Sequence, residues 1–134
     1  MLSGDNGILN RATDSKGQNA EAQAIEKTKV AYMAVRTEIA SQQAIDGNYD
    51  PTSRTTTGTE KSNYDKLVDV VLKDIPNGNG WTVTPGTSGS TIAIEYYDDS
   101  LNSSDHKSKF TITITNSEPY AVWAQSQAGF NSTN

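Results

Sequence analysis

The single histidine of the chain, His106, lies in the polar run Ser-Asp-His-Lys-Ser. A histidine beside an aspartate such as Asp105 can act as a general base when a nucleophile lies next to it. The sequence has no Gly-x-Ser-x-Gly elbow, and adjacent residues of one loop seldom form a catalytic pair with a nucleophile in place. We therefore interpret His106 as a solvated loop residue, and we expect no catalytic site and no enzymatic activity.

Three carboxylates, Asp98, Asp99 and Asp105, fall in one predicted loop. Oxygen-rich loops can hold calcium, but this spacing differs from that of an EF-hand and no glutamate closes the site. The glycine-rich runs 78–80 and 86–89 precede or join predicted strands, whereas phosphate-binding loops open a helix. We interpret the aspartates as a solvated turn and expect neither a resident metal nor a cofactor.

Four aromatic side chains could stack against a sugar: Trp81, Tyr96, Tyr97 and Trp123. The alternation of the predicted strands favours core packing for Trp81 and Tyr96, and it turns Tyr97 to the opposite, exposed side. These residues are the basis of an alternative function, a stand-alone extracellular module that binds a glycan or another ligand.

Length and composition restrict the possible classes of fold and function further. The 134 residues are predicted to form a single domain, 1–134. The absence of cysteine excludes disulfides, thiolate metal sites and a cysteine nucleophile. A net charge of −5 with scattered lysine and arginine gives no clear nucleic-acid site. No stretch reaches the roughly 20 apolar residues of a membrane span, and Met1 leads into polar residues instead of a signal peptide, which favours a fragment of a longer protein.

Residues 1–45 are predicted to form an N-terminal helix. The strongest part is 18–44, which is rich in alanine, and Gly47 ends it. Gly17 weakens the helix locally, but we predict that the helix continues through it. Four residues share the apolar face: Ile25, Tyr32, Val35 and Ile39. Four others supply the solvated face: Glu26, Lys27, Lys29 and Arg36.

A loop over 46–60 precedes a second helix within 61–75. Ser62 can cap this helix, which spans 63–74, and Pro76 ends it. Its predicted buried side comprises Tyr64, Leu67, Val68, Val71, Leu72 and Ile75.

The segment 81–125 reads as an antiparallel sheet. Alternating patterns predict strands over 81–84, 91–97 and 110–115 and a short edge strand over 120–124, with a polar tail over 126–134. The fold class is therefore α+β: a long N-terminal helix packed on a small antiparallel β-meander of three or four strands, with a short second helix before the sheet. We expect Tyr32, Val35 and Ile39 to lie under the sheet against Ile92, Ile94, Ile112 and Ile114.

The run Leu-Ser-Gly-Asp-Asn-Gly-Ile-Leu-Asn-Arg-Ala (2–12), with the Ala/Glu/Lys-rich helix that follows it to Ala34, resembles type IV pilins and pseudopilins of Gram-positive bacteria. In that family an apolar N-terminal helix, not included in this sequence, anchors the subunit and later forms the filament core. The resemblance implies a soluble head domain without its anchor helix. It also implies that Ile8, Leu9 and Ala12 pack against neighbouring subunits in the filament.

The resemblance implies a structural subunit of a type IV pilus or pseudopilus-like surface filament. Its partners would be other copies and related pilin subunits, and it would meet the membrane only through the missing helix. The filament would be extracellular, with a membrane-bound precursor, and a host or surface receptor is a further partner such a filament could contact. Whether the subunit is a major pilin, a minor pilin or a secretion pseudopilin stays open. Whether the filament serves adhesion, motility or DNA uptake also stays open. Major pseudopilins keep calcium in a late loop, and whether the loop 98–105 binds it also stays open.

Overall fold

A computed structural model describes the backbone of residues 4–87, 89–101 and 104–127, and the side chains of residues 16–125 within those ranges. The predicted α+β fold is confirmed. The elements in chain order are α1 (Gly4–Ile45), α2 (Asn63–Asp74), β1 (Trp81–Pro85), β2 (Thr91–Tyr97), β3 (Lys107–Ile114) and β4 (Ala121–Gln127).

Helix α1 passes through Gly17 without interruption, as predicted. Its buried residues recur every three or four positions and form one stripe along the helix. They are Gly17, Glu21, Ala24, Thr28, Ala31, Val35 and Ile39. Tyr32 lies at the margin of this stripe and is only half-buried, with its hydroxyl accepting a 3.2 Å hydrogen bond from Arg36. The prediction of a buried Tyr32 is therefore correct only in part, because its polar tip stays at the surface.

The four strands form one antiparallel sheet in the order β1-β2-β3-β4. The register places Ile92 opposite Ile112, and Ile112 opposite Trp123. Because side chains alternate between the faces of a strand, one face of the sheet carries the apolar set. Four isoleucines of this face are buried in the same core as Val35 and Ile39: Ile92, Ile94, Ile112 and Ile114.

Two strand boundaries differ from the sequence prediction by more than one residue. Strand β3 begins at Lys107, which pairs with Tyr97, so the loop before it is shorter than expected. Strand β4 reaches Gln127, inside the predicted polar tail, because Gln127 pairs with Lys109 across an irregularity in the register. The residues at these two ends are polar, and they join the strands through backbone hydrogen bonds. A pattern of alternating apolar residues does not indicate such an extension.

Helix α2 has the predicted bounds and the predicted cap. The Ser62 hydroxyl accepts a 3.2 Å hydrogen bond from the backbone N–H of Asp65, which satisfies one of the free donors of the first turn. Five of the six residues on its predicted apolar side are buried, namely Tyr64, Leu67, Val68, Val71 and Ile75, and Leu72 is half-buried. Together with α1, this helix completes the core.

Candidate functional site

Two side-chain hydrogen bonds hold β4 alongside α1. The side chain of Gln125 donates to the Glu21 carboxylate at 2.5 Å, and the indole of Trp123 donates to Thr28 at 2.9 Å. The later strand residue contacts the earlier helix residue, so β4 runs antiparallel to α1. The strand therefore approaches the N-terminal part of the helix as it ends.

Helix α1 continues N-terminal to these contacts. Lys16 lies close enough to Asp98, at the end of β2, to contribute to the lowering of that carboxyl's pKa. Residues 4–15 precede Lys16 in the same helix, and they add about 18 Å at the usual rise per residue. Ile8, Leu9 and Ala12, the predicted filament-packing residues, belong to this segment, and their side chains lie outside the described residues.

His106 is an exposed loop residue with a left-handed backbone (φ 54°). Its Nδ1 lies 2.9 Å from the carbonyl oxygen of Leu101, and its ring meets Tyr97 edge-on at 6.1 Å between centroids. The carboxylate of Asp105 forms an ion pair with Lys109 at 3.0 Å. A carbonyl oxygen and a phenol ring do not constitute a nucleophilic site, so this geometry gives no support to a hydrolase.

The aspartates of the 98–105 loop serve the loop's own structure. Asp98 accepts hydrogen bonds from the backbone and the hydroxyl of Ser100, which are the main causes that lower its pKa, and Tyr96 adds a weaker one. Asp99 accepts a 2.5 Å bond from the Tyr97 hydroxyl, which raises the pKa of that phenol. Within the described residues no three carboxylate or histidine groups gather as a metal site would require.

The four aromatic residues do not share one platform. Trp81 and Tyr96 face each other across β1 and β2, with ring centroids 4.4 Å apart, and both are half-buried against the core. Trp123 lies on β4, at the opposite edge of the sheet, and packs on Phe110 at 5.8 Å. Tyr97 is 44% exposed, as predicted, because the strand turns it away from Tyr96. The surface proposed for sugar stacking is therefore divided among three places.

The outer side of α1 carries an apolar surface that the sequence analysis missed. Val30 is 54% exposed and Met33 is 51% exposed, although both are large apolar residues. With their neighbours they line a shallow groove formed by Ala22, Ile25, Glu26, Lys29, Val30 and Met33. We call these six residues the outer face of α1. The signal in the sequence was the pair Val30 and Met33, apolar residues at helical spacing outside the predicted core stripe. Ile25, at the margin of the groove, belongs to that stripe and is half-buried against the core.

A polar cavity lies between the C-terminal end of α1, the following loop and α2. Its lining includes Glu38, Asp46, Tyr49 and Asp50. Burial raises the pKa of Tyr49, and the negative charges of Glu38 and Asp50 raise it further. The Asp50 carboxylate already accepts two hydrogen bonds from Thr52. Sequence reasoning did not find this cavity, because its walls are brought together only by folding.

In the part of the chain that the structure describes, neither helix combines the length and the apolar character that a membrane span requires. Comparisons of the chain with protein-family models, with curated proteins and with solved structures gave no match.

Proposed function

We propose that this chain is the head domain of a type IV pilin-like filament subunit, in which an apolar helix preceding Leu2 anchors the subunit and assembles with its copies. The observation that carries the proposal is the course of α1. Its C-terminal part is built into the core of the domain, and the same unbroken helix continues N-terminal to the hydrogen bond between Glu21 and Gln125, over residues 4–15. A helix of this kind can transmit a rigid connection from a head to a filament core.

The order and packing of the remaining elements also support this proposal. One side of a single antiparallel sheet covers the buried stripe of α1, and the outer side of that helix stays open. Asp98 and His106 have hydrogen-bond partners within their own loop, Ser100 and Leu101, which is compatible with a structural role. A subunit that acts by assembly needs a stable head and a continuous helix, and it needs no catalytic group.

The most direct test is the reading frame upstream of Leu2. The proposal expects about 20 apolar residues behind a Gly-Phe junction, with one glutamate near the start of the apolar stretch. A stop codon immediately upstream would contradict it. Antibodies against this chain should also label filaments sheared from the surface of the source cells. Deletion of the gene should remove that label, and restoration of the gene should return it.

Amide hydrogen exchange on the chain provides a second test. Residues 25–39 of α1 lie in the core, so their amides should be strongly protected. Amides of residues 5–14 should exchange quickly in the isolated chain, because in this proposal their packing partners are neighbouring subunits. Equal protection of both segments would show that residues 5–14 pack within their own domain, and it would favour the ligand-binding module.

A further inference from the structure

We propose that Asn79 is a site of spontaneous deamidation, a modification that converts its side-chain amide into a carboxylate. The run Asn-Gly-Asn-Gly (77–80), between α2 and β1, holds two asparagines that each precede a glycine. Asparagine is among the thermally labile residues of proteins, and a following glycine has no side chain to hinder attack by its own backbone nitrogen. Water is the only co-reactant, so the inference is independent of the proposed filament.

The reaction proceeds in two steps without any change in oxidation state. The backbone nitrogen of Gly80 attacks Cγ of Asn79 and loses its proton, and the bond from Cγ to the side-chain nitrogen breaks, so that ammonia leaves. Water then opens the resulting succinimide ring. Cleavage at Cγ gives aspartate, whereas cleavage at the main-chain carbonyl carbon gives isoaspartate, in which the backbone runs through the former side chain.

A tight turn over residues 78–81 presents Asn79 to solvent. The Gly78 N–H donates to the carbonyl oxygen of Trp81 at 2.9 Å, and the Trp81 N–H donates to that of Gly78 at 3.0 Å. Asn79 and Gly80 have φ values of 55° and 92°, the left-handed values that a type I′ turn requires at both central residues. Asn79 is therefore at the exposed tip of this turn.

Hydrogen bonds distinguish Asn79 from Asn77, although the two have the same neighbour in sequence. The side-chain oxygen of Asn77 accepts a 2.7 Å hydrogen bond from the N–H of Val83, and its nucleophile, the Gly78 N–H, is bonded to Trp81. Reaction at Asn77 therefore needs both bonds to open. Within the described residues, neither the side chain of Asn79 nor the N–H that follows it has a hydrogen-bond partner. The structure thus leaves Asn79 as the reactive residue of the two.

The close fit of Gly80 against β2 makes the modification consequential for the sheet. The carbonyl oxygen of Gly80 accepts a 2.8 Å hydrogen bond from the N–H of Tyr97, and a Cβ on Gly80 would lie only 2.6 Å from the Tyr97 carbonyl oxygen. Isoaspartate lengthens the backbone at this point, where Gly80 has no room to move towards β2. It should therefore disturb the adjacent pair Trp81 and Tyr96 more than aspartate, which leaves the main chain unchanged.

Peptide mass spectrometry of the aged chain tests the selectivity. The folded chain is incubated at mildly alkaline pH, and fragment ions that separate position 77 from position 79 assign each exchange of ammonia for water. Asn79 should convert roughly tenfold faster than Asn77, because Asn77 reacts only when its hydrogen bonds open. In the urea-unfolded chain the two asparagines should convert at similar rates, since neither is held.

Two variants control for reaction elsewhere in the chain. Asn79→Gln should abolish the fast conversion, because a glutamine side chain would have to close a larger and slower-forming ring. Asn77→Asp keeps the oxygen that accepts from Val83, so it should leave the conversion of Asn79 unchanged. Circular dichroism verifies that each variant folds.

Urea unfolding tests the effect on β1. Ion exchange isolates the converted parent by its additional negative charge, and fragmentation determines how much of it is isoaspartate. An isoaspartate-rich fraction should have a lower urea midpoint than Asn79→Asp, which carries the same charge on an unaltered main chain. Equal midpoints would contradict the predicted effect on the strand.

Three results would overturn the assignment of Asn79. The first is conversion of Asn77 at the same rate or faster in the folded chain, which would mean that its hydrogen bonds give no protection. The second is an Asn79 that reacts in urea but stays intact in the folded chain, which would show that the turn itself blocks the attack. The third is conversion of Asn79→Gln at the rate of the parent, which would locate the reaction at another residue.

Discussion

The indole N–H of Trp123 donates a 2.9 Å hydrogen bond to Oγ1 of Thr28, which joins the last strand to the first helix across 95 residues of sequence. Thr28 is fully buried, and its hydroxyl in turn donates to the carbonyl oxygen of Ile25 at 2.9 Å. One threonine hydroxyl therefore satisfies the indole and fixes where β4 lies along α1.

Replacement of Thr28 by valine should destabilise the protein. The substitution keeps the shape of the side chain but leaves the indole of Trp123 without its acceptor, which costs about 1–3 kcal/mol. Urea unfolding monitored by circular dichroism measures the change. The same substitution at exposed Thr37 is the control and should alter the free energy of unfolding by less than about 0.5 kcal/mol. Equal effects at both sites would mean that this hydrogen bond does not contribute.

Truncation of Ile112 to alanine tests the core face of the sheet. Ile112 is fully buried in the centre of β3. Removal of its larger side chain should cost about 2–5 kcal/mol, because the surrounding core cannot fully close the cavity. Val122→Ala, on the adjacent strand at a residue that is 46% exposed, is the matched control. A loss below about 0.5 kcal/mol for Ile112→Ala would contradict the assignment of this face to the core.

Tyr64→Phe should loosen the contact between α2 and the β1–β2 hairpin. The Tyr64 hydroxyl donates to the carbonyl oxygen of Thr91 at 2.5 Å and accepts from the N–H of Gly86 at 2.9 Å. Loss of both bonds should cost about 1–2 kcal/mol. Hydrogen exchange at the Gly86 amide should accelerate more than exchange elsewhere. Tyr97→Phe, which removes an exposed hydroxyl, should leave that amide unchanged.

Asp98→Asn should lower stability at neutral pH and much less at acid pH. Hydrogen bonds from Ser100 hold the pKa of Asp98 below its usual value in the folded protein. A carboxyl whose folded pKa is depressed contributes stability above its unfolded pKa, and that contribution is lost as pH falls below about 4. The difference in urea midpoint between parent and variant should therefore be smaller near pH 3 than at neutral pH.

Glu26→Gln, on the exposed outer face of α1, is the control for this experiment. The urea midpoint of this variant should stay close to that of the parent at both pH values. A gap for Asp98→Asn that remains constant on acidification would show that charge on this carboxylate does not stabilise the loop.

Tryptophan fluorescence separates the filament subunit from a glycan-binding module. Trp81 packs on Tyr96 and Trp123 packs on Phe110, at opposite edges of the sheet. The proposed function therefore expects no saturable change in emission across a panel of glycans. A saturable change that disappears in Trp81→Phe but persists in Trp123→Phe would favour the binding module and locate its ligand.

Local physical chemistry made α2 and the parity of β3 predictable from the sequence alone. Ser62 caps α2, Pro76 follows it, and apolar residues at helical spacing mark its buried side, so every signal lies within the element itself. The alternation from Phe110 to Ile114 likewise determines which side of β3 faces the core. The continuity of α1 through Gly17 follows from the helix formers on its C-terminal side, since one glycine costs only about 1 kcal/mol.

Tertiary structure decided the features that depend on residues distant in sequence. Pairing with Tyr97 and Lys109 extends β3 to Lys107 and β4 to Gln127, although both ends are polar. Folding also divides the aromatic residues between two sheet edges and two faces, and it pairs the loop carboxylates with residues of the loop and of the adjoining strands β2 and β3. It leaves Val30 and Met33 outside the core because α1 can bury only one side against the sheet and α2. A helical pattern shows which residues share a side, but only packing determines which of those sides remains exposed.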